Sequence, residues 1–392
     1  MEKNELGIYI HIPFCKSKCS YCDFISYSNK MDKVDTYFKV LEKEIDSYDF
    51  NKYNVTTIYI GGGTPSYVES KYICVMLNKI KLKLVNNLTK WEDIEITIEV
   101  NPGTVNKEKL EVYKKIGVNR ISIGLQSAKD NLLKQIGRIH NYKDFINTYK
   151  LAKEVGLNNI NVDLMLGLPN QTIQDLKETL EEIENLNPNH VSVYSLIVEE
   201  GTKIEKQILS GDMELPSEEL ERQMYWYVKN KLELMGYNHY EISNFAKKGY
   251  ESKHNLNCWE QKEYVGLGVA AHSYVDRVRY SNTENLEKYI DTEIKDNIWM
   301  KEKELDNSSI RIIEEVQSKE DQKNEYMLLG FRKIEGVNIA NFKAKFVDNP
   351  IFLYKDKLSK LALDGLIEID FNNIRLTSKG IDLANLVFEE FI

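Results

Sequence analysis

Cysteine is scarce in this sequence, and long apolar runs are missing. Five cysteines in 392 residues are too few for the disulfide scaffold of a small secreted domain. No uncharged apolar run approaches the about 18 residues that a membrane-spanning helix needs, so no transmembrane segment is expected. Met1 to Leu6 is polar, and the apolar stretch that follows is broken by His11 and Pro13. That is not the pattern of a signal peptide. The expected location is the cytoplasm, with any membrane association made through a partner. Net positive charge is lacking as well. A formal charge of -9 argues against a general nucleic-acid surface, because polyanion binding relies on Lys and Arg neutralising phosphates.

What is present describes an ordinary globular chain. Hydrophobic residues make up 42% and charged residues 29%, and the length suggests two structural units more than one. Short apolar or alternating runs read as strands at 7–12 (GIYIHI), 56–60 (TTIYI), 94–100, 120–125 (RISIGL), 160–165 and 191–196. Segments such as 33–45, 107–116 and 144–155 carry apolar residues at helical spacing, and Gly117 and Gly156 stand where helix-ending glycines belong. Six strand–helix units imply a parallel sheet with crossover helices. A closed or partly closed barrel and an open doubly wound sheet both fit. The barrel is favoured because Cys15, the 61–65 and 99–102 segments, Gln126, Asp163 and Ser195 all fall at or beyond strand ends, which converge on one mouth in a βα barrel.

The expected fold is therefore α/β, a partial (β/α)6 TIM-type barrel over residues 1–300, with a smaller domain over 301–392. The stretch 301–324 reads as charged and helical with no strand. Apolar helices at 325–331 and 350–363 follow, and then short strands at 366–370 and 374–377 around the Asn372-Asn373 turn. That pattern suggests a helical, winged-helix-like unit, for which a packing or lid role suits the acidic balance better than DNA binding.

Three of the five cysteines stand together as C-x3-C-x2-C: Cys15, Cys19 and Cys22, in the loop after the first strand. A short loop lets several thiolates converge on one iron–sulfur cluster. Three thiolates on a four-iron cube leave one iron open for a small molecule. Zinc held by the same cysteines with His11 as a fourth ligand is the competing reading, and a chance cluster of buried thiols is the bland one. Cys74, flanked by Ile73, Val75 and Met76, reads as a buried core thiol.

These residues resemble the radical-SAM superfamily, whose signature is this triplet. GGGTP at 61–65, EVNP at 99–102, GLQ at 124–126, DLMLGLP at 163–169 and GLGVAAHS at 266–273 resemble its coproporphyrinogen oxidase-like branch over nearly the whole chain. The resemblance implies a 4Fe-4S cluster on Cys15, Cys19 and Cys22, with S-adenosylmethionine chelating the fourth iron and cleaved to a radical by the reduced cluster. An electron donor to the cluster is implied with it. The implied cofactor contacts are Tyr9, Tyr21, Gly62, Gly63, Thr64, Glu99, Gln126, Arg138 and Asp163. The glycines would admit backbone close to the methionine portion, Glu99 and Asp163 would accept from ribose hydroxyls or the ammonium, and Arg138 would pair with the cofactor carboxylate.

Within that branch, oxygen-independent coproporphyrinogen III oxidases carry another cysteine two residues after the triplet. Here that position is Phe24. The Cys-Asp-Phe ending is similar to the haem chaperone subgroup, the HemW type, which binds haem and delivers it to haem-requiring membrane proteins of respiration. The oxidase is the alternative, and a radical enzyme acting on an unrelated substrate is a third reading. The subgroup's H-N-x-x-Y-W motif, implied to contact haem, appears here as His254-Asn-Leu-Asn-Cys258-Trp259, with cysteine in place of tyrosine. His and Cys both ligate haem iron, and residues four apart share a helix face. His254 or Cys258 is thus a candidate axial ligand with Trp259 packing on the macrocycle, against the plain alternative that all three cap the barrel. His272 is a second candidate.

Overall fold

A computed structural model describes residues 3–292 and 310–392 of the chain. Its main sheet contains β1 (Glu5–Ile12), β2 (Asn54–Gly62), β3 (Glu95–Val100), β4 (Arg120–Gln126), β5 (Asn159–Leu166), β6 (His190–Ser195), β7 (Asn238–Glu241), β8 (Asn244–Ala246), β9 (Glu263–Leu267), β10 (His272–Val275), β11 (Val278–Asn282) and β12 (Arg311–Val316). β1 to β6 lie side by side in chain order and pair in parallel. The crossovers are α1 (Val34–Ser47), α2 (Ser70–Lys83), α3 (Lys107–Lys115), α4 (Asp130–Gln135), α5 (Tyr142–Glu154) and α6 (Ile173–Leu186).

Strict alternation in the strands produces this layering. Ile8, Ile10, Ile58, Ile60, Ile96, Ile98, Ile121, Ile123, Ile160, Val162 and Val191 are wholly buried in one continuous core. Each such side chain contributes about 1.5–3 kcal/mol by leaving water. The intervening residues face the other way, and Tyr59, Glu99, Ser122, Asp163 and Tyr194 line a single cavity. Strands β2 and β6 are four positions apart, or about 19 Å in a flat sheet. The sheet therefore curls around that cavity. It is a partial barrel: β1 has β9 as its second neighbour and β6 has antiparallel β8.

The helices α7 (Lys203–Leu209), α8 (Glu218–Leu234) and α9 (Lys253–Trp259) follow β6. α9 plugs the end of the barrel where the strands begin. Its first amides, Lys253 N and His254 N, donate to the Glu95 carboxylate at the start of β3, and Ser252 caps it by accepting from Asn255 N.

Beyond β12 the chain forms a second core around Phe331, Phe342, Ile374 and Phe391. A three-stranded antiparallel sheet (Val337–Asn338, Asn373–Leu376, Ile367–Ile369) carries the hairpin expected at Asn372-Asn373. The helical, wing-bearing outline matches expectation. This unit rests on the plugged end, through Glu325 on Arg279, Lys345 Nζ on Gln261 and Arg332 stacked 4.3 Å over Trp259.

Some expectations are corrected. Part of the stretch read as strandless, Arg311–Val316, is β12, which pairs antiparallel with β11 in the main sheet. As an edge strand it tolerates charged residues, which hid its period of two. Residues 301–309 lie outside the described residues. The helix read at 325–331 starts earlier, as Lys319–Gly330, and the one read at 350–363 is two, Pro350–Leu353 and Lys355–Leu363, broken at Tyr354. Cys74 is only half-buried, accepting from Asn78 Nδ2 on α2.

Candidate functional site

The loop after β1 holds the three clustered cysteines. Cys15 N donates to Tyr27 O and Tyr27 N to Pro13 O, which closes the loop on itself. Ser20 fastens it to its surroundings, donating its N–H to Ile136 O and accepting from Ile204 N. Cys15 is buried, while Cys19 and Cys22 are half-buried, and all three line the cavity of about 420 Å³ at the strands' C-terminal ends. Thr64 Oγ1 donates to Cys15 Sγ at 3.4 Å.

Burial raises the Cys15 thiol, and raises Cys22 to about 11 with the neighbouring Cys19 adding to the effect. For Cys15 and Cys22, burial outweighs the opposing charges of Arg138 and Lys18 and favours the thiol. A polycationic cluster reverses this, since coordination deprotonates thiols. The donor set thus suits an iron–sulfur cluster. His11 does not join it. Its Nδ1 faces the Tyr9 hydroxyl at 3.0 Å and its Nε2 faces Ile25 O at 2.9 Å, and burial lowers its pKa to about 4. The zinc reading with His11 as fourth ligand is corrected on that ground.

The glycines after β2 are constrained by the protein itself. Gly62 has φ +107°, and a Cβ there would lie 2.6 Å from the His11 ring. A Cβ on Gly63 would lie 3.0 Å from Cys15 Sγ. Both keep backbone at the cavity wall where any side chain would intrude.

Beside the cysteine loop stands Arg138. Nη2 donates to the Tyr21 hydroxyl at 2.6 Å and Nη1 to Asn101 Oδ1 at 2.9 Å, while its buried Nε has no partner among the described residues. Neither partner is a carboxylate. A fixed guanidinium with a spare donor is an anion receptor. The barrel interior supplies the opposite charge. Glu99 accepts from Tyr59, and burial, reinforced by the charge of Asp163, raises its pKa to about 7. Burial also raises Asp163, although Ser122 and Asn161 donate to it. Asp163 lies mid-strand, not at a strand end. Gln126 follows a register shift in β4, has φ 68° and lines the cavity. Arg138 and the two acids could together hold a zwitterion.

Of the expected cofactor contacts, Tyr21, Gly62, Gly63, Thr64, Glu99, Gln126, Arg138 and Asp163 line this cavity with the three cysteines. Tyr9 does not. It stands behind Tyr59, with ring centroids 6.4 Å apart. Sequence reasoning missed Tyr59, Asn101, Ser122 and Tyr194. The same alternation that marked the core positions would have found Tyr59, Ser122 and Tyr194.

The expected haem residues lie elsewhere. His254 is buried beneath Tyr59, stacked at 5.2 Å, with Nδ1 on Thr57 Oγ1 at 2.9 Å. Burial raises the Cys258 thiol to about 11, and Trp259 is covered by Arg332. These residues cap the barrel floor. His254 is packed between Tyr59 and Thr57 and Cys258 is half-buried, so the axial-ligand candidates stand outside the cavity that holds the cysteine triplet.

Comparison with known proteins places this geometry. Residues 9–183 match the model of the Radical SAM superfamily, and residues 317–383 that of the HemN C-terminal domain. The protein named heme chaperone HemW of Bacillus subtilis is 39% identical over 389 residues, covering 98% of each chain. The chain belongs to the HemW family of radical-SAM proteins. Another HemW relative, from Escherichia coli, is 39% identical over 274 residues, 69% of this chain and 70% of its own. The solved coproporphyrinogen III oxidase of Escherichia coli superposes with a TM-score of 0.81 at 22% identity, covering 99% of this chain and 90% of that one, which shows the shared fold. Superfamily membership implies a 4Fe-4S cluster and S-adenosylmethionine. Among the described residues no helix is long and apolar enough to cross a membrane.

Proposed function

We propose that this chain is a cytoplasmic haem chaperone, which binds haem and passes it to haem-requiring acceptors such as membrane proteins of respiration. Cys15, Cys19 and Cys22 would hold the cluster. Arg138 would pair with the carboxylate of S-adenosylmethionine, Glu99 and Asp163 would accept from its ribose or ammonium, and Gly62, Gly63, Thr64, Gln126 and Tyr21 would shape its berth. Tyr9 would act from behind, through Tyr59. When bound, the two groups supply one-electron chemistry, for which an external electron donor is a required partner.

The observation that carries this reading is Phe24. It lines the cavity at its rim with 61% of its surface exposed, at the position where the resemblance to the oxidases calls for a cysteine. Phenylalanine offers no thiol for ligation, hydrogen transfer or electron transfer, and it presents a flat apolar edge that suits a tetrapyrrole. The full-length similarity to proteins named heme chaperone HemW supports the same reading.

The test uses one anaerobic preparation reconstituted with ferrous iron and sulfide. Haem retention through gel filtration is expected, with no change in the mass of added coproporphyrinogen. Loss of two carboxyl groups from the porphyrinogen, or failure to retain haem, would overturn the assignment.

A further inference from the structure

Six histidines occur in the chain, and five are committed to its interior. Both nitrogens of His11 are engaged, as are those of His190, on Asn161 and Tyr240. His140 and His254 are buried. His239 stacks on Phe245 at 4.4 Å with Nε2 toward Ile242 O.

His272 differs. Its side chain is 58% exposed, and Nδ1 lies 3.1 Å from Glu314 Oε1. Nε2 has no hydrogen-bond partner among the described residues. A neutral ring that donates Nδ1–H to a carboxylate directs the Nε2 lone pair outward. Metal-ligating histidines are commonly oriented and made more basic by such a carboxylate.

The backbone builds this pair. Tyr280 pairs with Ile313 but Arg279 with Glu315, so Glu314 is an extra residue in β12. Such a bulge re-aims a side chain, and here it aims Glu314 at His272. The register His272↔Ser281↔Ile312 puts a short side chain and then an exposed isoleucine (48%) on the same face. Ser281 between them is buried, so the exposed surface of this row is the imidazole and the isoleucine, an apolar neighbour for a flat ligand.

We propose that His272 Nε2, backed by Glu314, is the protein ligand of haem iron, with the macrocycle lying over the face of β10 to β12. The iron accepts the Nε2 lone pair while the proton stays on Nδ1. Glu314 and Glu315 keep the haem carboxylates turned to solvent. This inference rests on the haem-chaperone reading.

Haem is titrated into the full-length protein and its His272→Ala, Glu314→Gln, His254→Gln and Cys258→Ser variants, with cluster absorbance as the check on folding. Wild type and the last two should share one affinity and one Soret position. His272→Ala should shift the Soret band and weaken binding, and added imidazole should restore the wild-type spectrum. Glu314→Gln should keep the imidazole spectrum but weaken binding about 10-fold. Haem binding by wild type with an unchanged Soret band in His272→Ala, or a shift that follows Cys258→Ser instead, overturns the ligand assignment alone. No haem binding by wild type overturns the chaperone reading and this inference together.

Discussion

The hydroxyl of Tyr59 donates to Oε1 of Glu99 at 2.9 Å across neighbouring strands of the barrel interior. That bond stabilises the carboxylate, yet burial and Asp163 outweigh it and move Glu99 from 4.5 to about 7. Between these values the folded chain holds a proton on Glu99 that the unfolded chain has released. The folded state therefore binds more protons, and stability falls as pH rises through this window. The ceiling is on the order of 3 kcal/mol. Glu99→Gln should flatten that part of the profile and gain stability relative to wild type above pH 7. Urea unfolding of the two metal-free proteins across the window checks this. Parallel curves would remove Glu99 as the source.

Gly62 is the second point of leverage. Alanine there meets the His11 ring and sits at a left-handed φ. Gly62→Ala should lower stability by about 2 kcal/mol or more, combining backbone strain with the clash. Adding His11→Ala should recover only the steric part, so the double-mutant cycle should show coupling. Additive losses in thermal unfolding would mean that the ring moves aside freely.

Arg138→Lys should load iron and sulfide normally yet bind S-adenosylmethionine at least about 10-fold more weakly. Lysine cannot serve Tyr21, Asn101 and a carboxylate together, because it lacks the planar fork. Equilibrium dialysis against the cofactor reads this directly. Equal affinity would show that the carboxylate is held elsewhere.

The cysteine triplet and the six strands were legible because both signals are local: a fixed spacing, and a period of two. Most of the cofactor residues were legible through family resemblance at the same strand ends. What escaped depends on register. Asp163 raises Glu99 only because β3, β4 and β5 align them, and Tyr59 joins them from β2. The role of His11 was hidden because its bonds to the Tyr9 hydroxyl and to Ile25 O depend on how the strand and the loop after it fold, which spacing does not show. β12 was missed because its pairing partner lies across a long connection and its own residues are charged. The place of the haem motif was not legible either, since the spacing of His254, Cys258 and Trp259 says that they share a helix but not which side of the barrel that helix closes.

That closure supports a last prediction. Glu95 and His254 are 159 residues apart, so α9 is held to the barrel floor by tertiary contacts alone, a seven-residue helix being too short to persist by itself. His254 fills the space under Tyr59, and its bond to Thr57 satisfies a buried hydroxyl. His254→Ala removes the stacked ring and leaves Thr57 unpaired. The loss should be about 2–4 kcal/mol, from a cavity plus an orphaned polar group. Because Cys15, Cys19 and Cys22 lie at the opposite end of the strands, cluster absorbance in the surviving folded protein should match wild type. Glu95→Gln should act in the same direction but more mildly: Lys253 N and His254 N donate to different carboxylate oxygens, and a neutral amide offers one accepting oxygen, so one of the two N–H groups loses its partner along with the charge at the helix start. Urea unfolding with parallel visible spectra decides the matter. Full stability in His254→Ala, or loss of the cluster at unchanged stability, would show that this histidine serves the metal end of the barrel and not its floor.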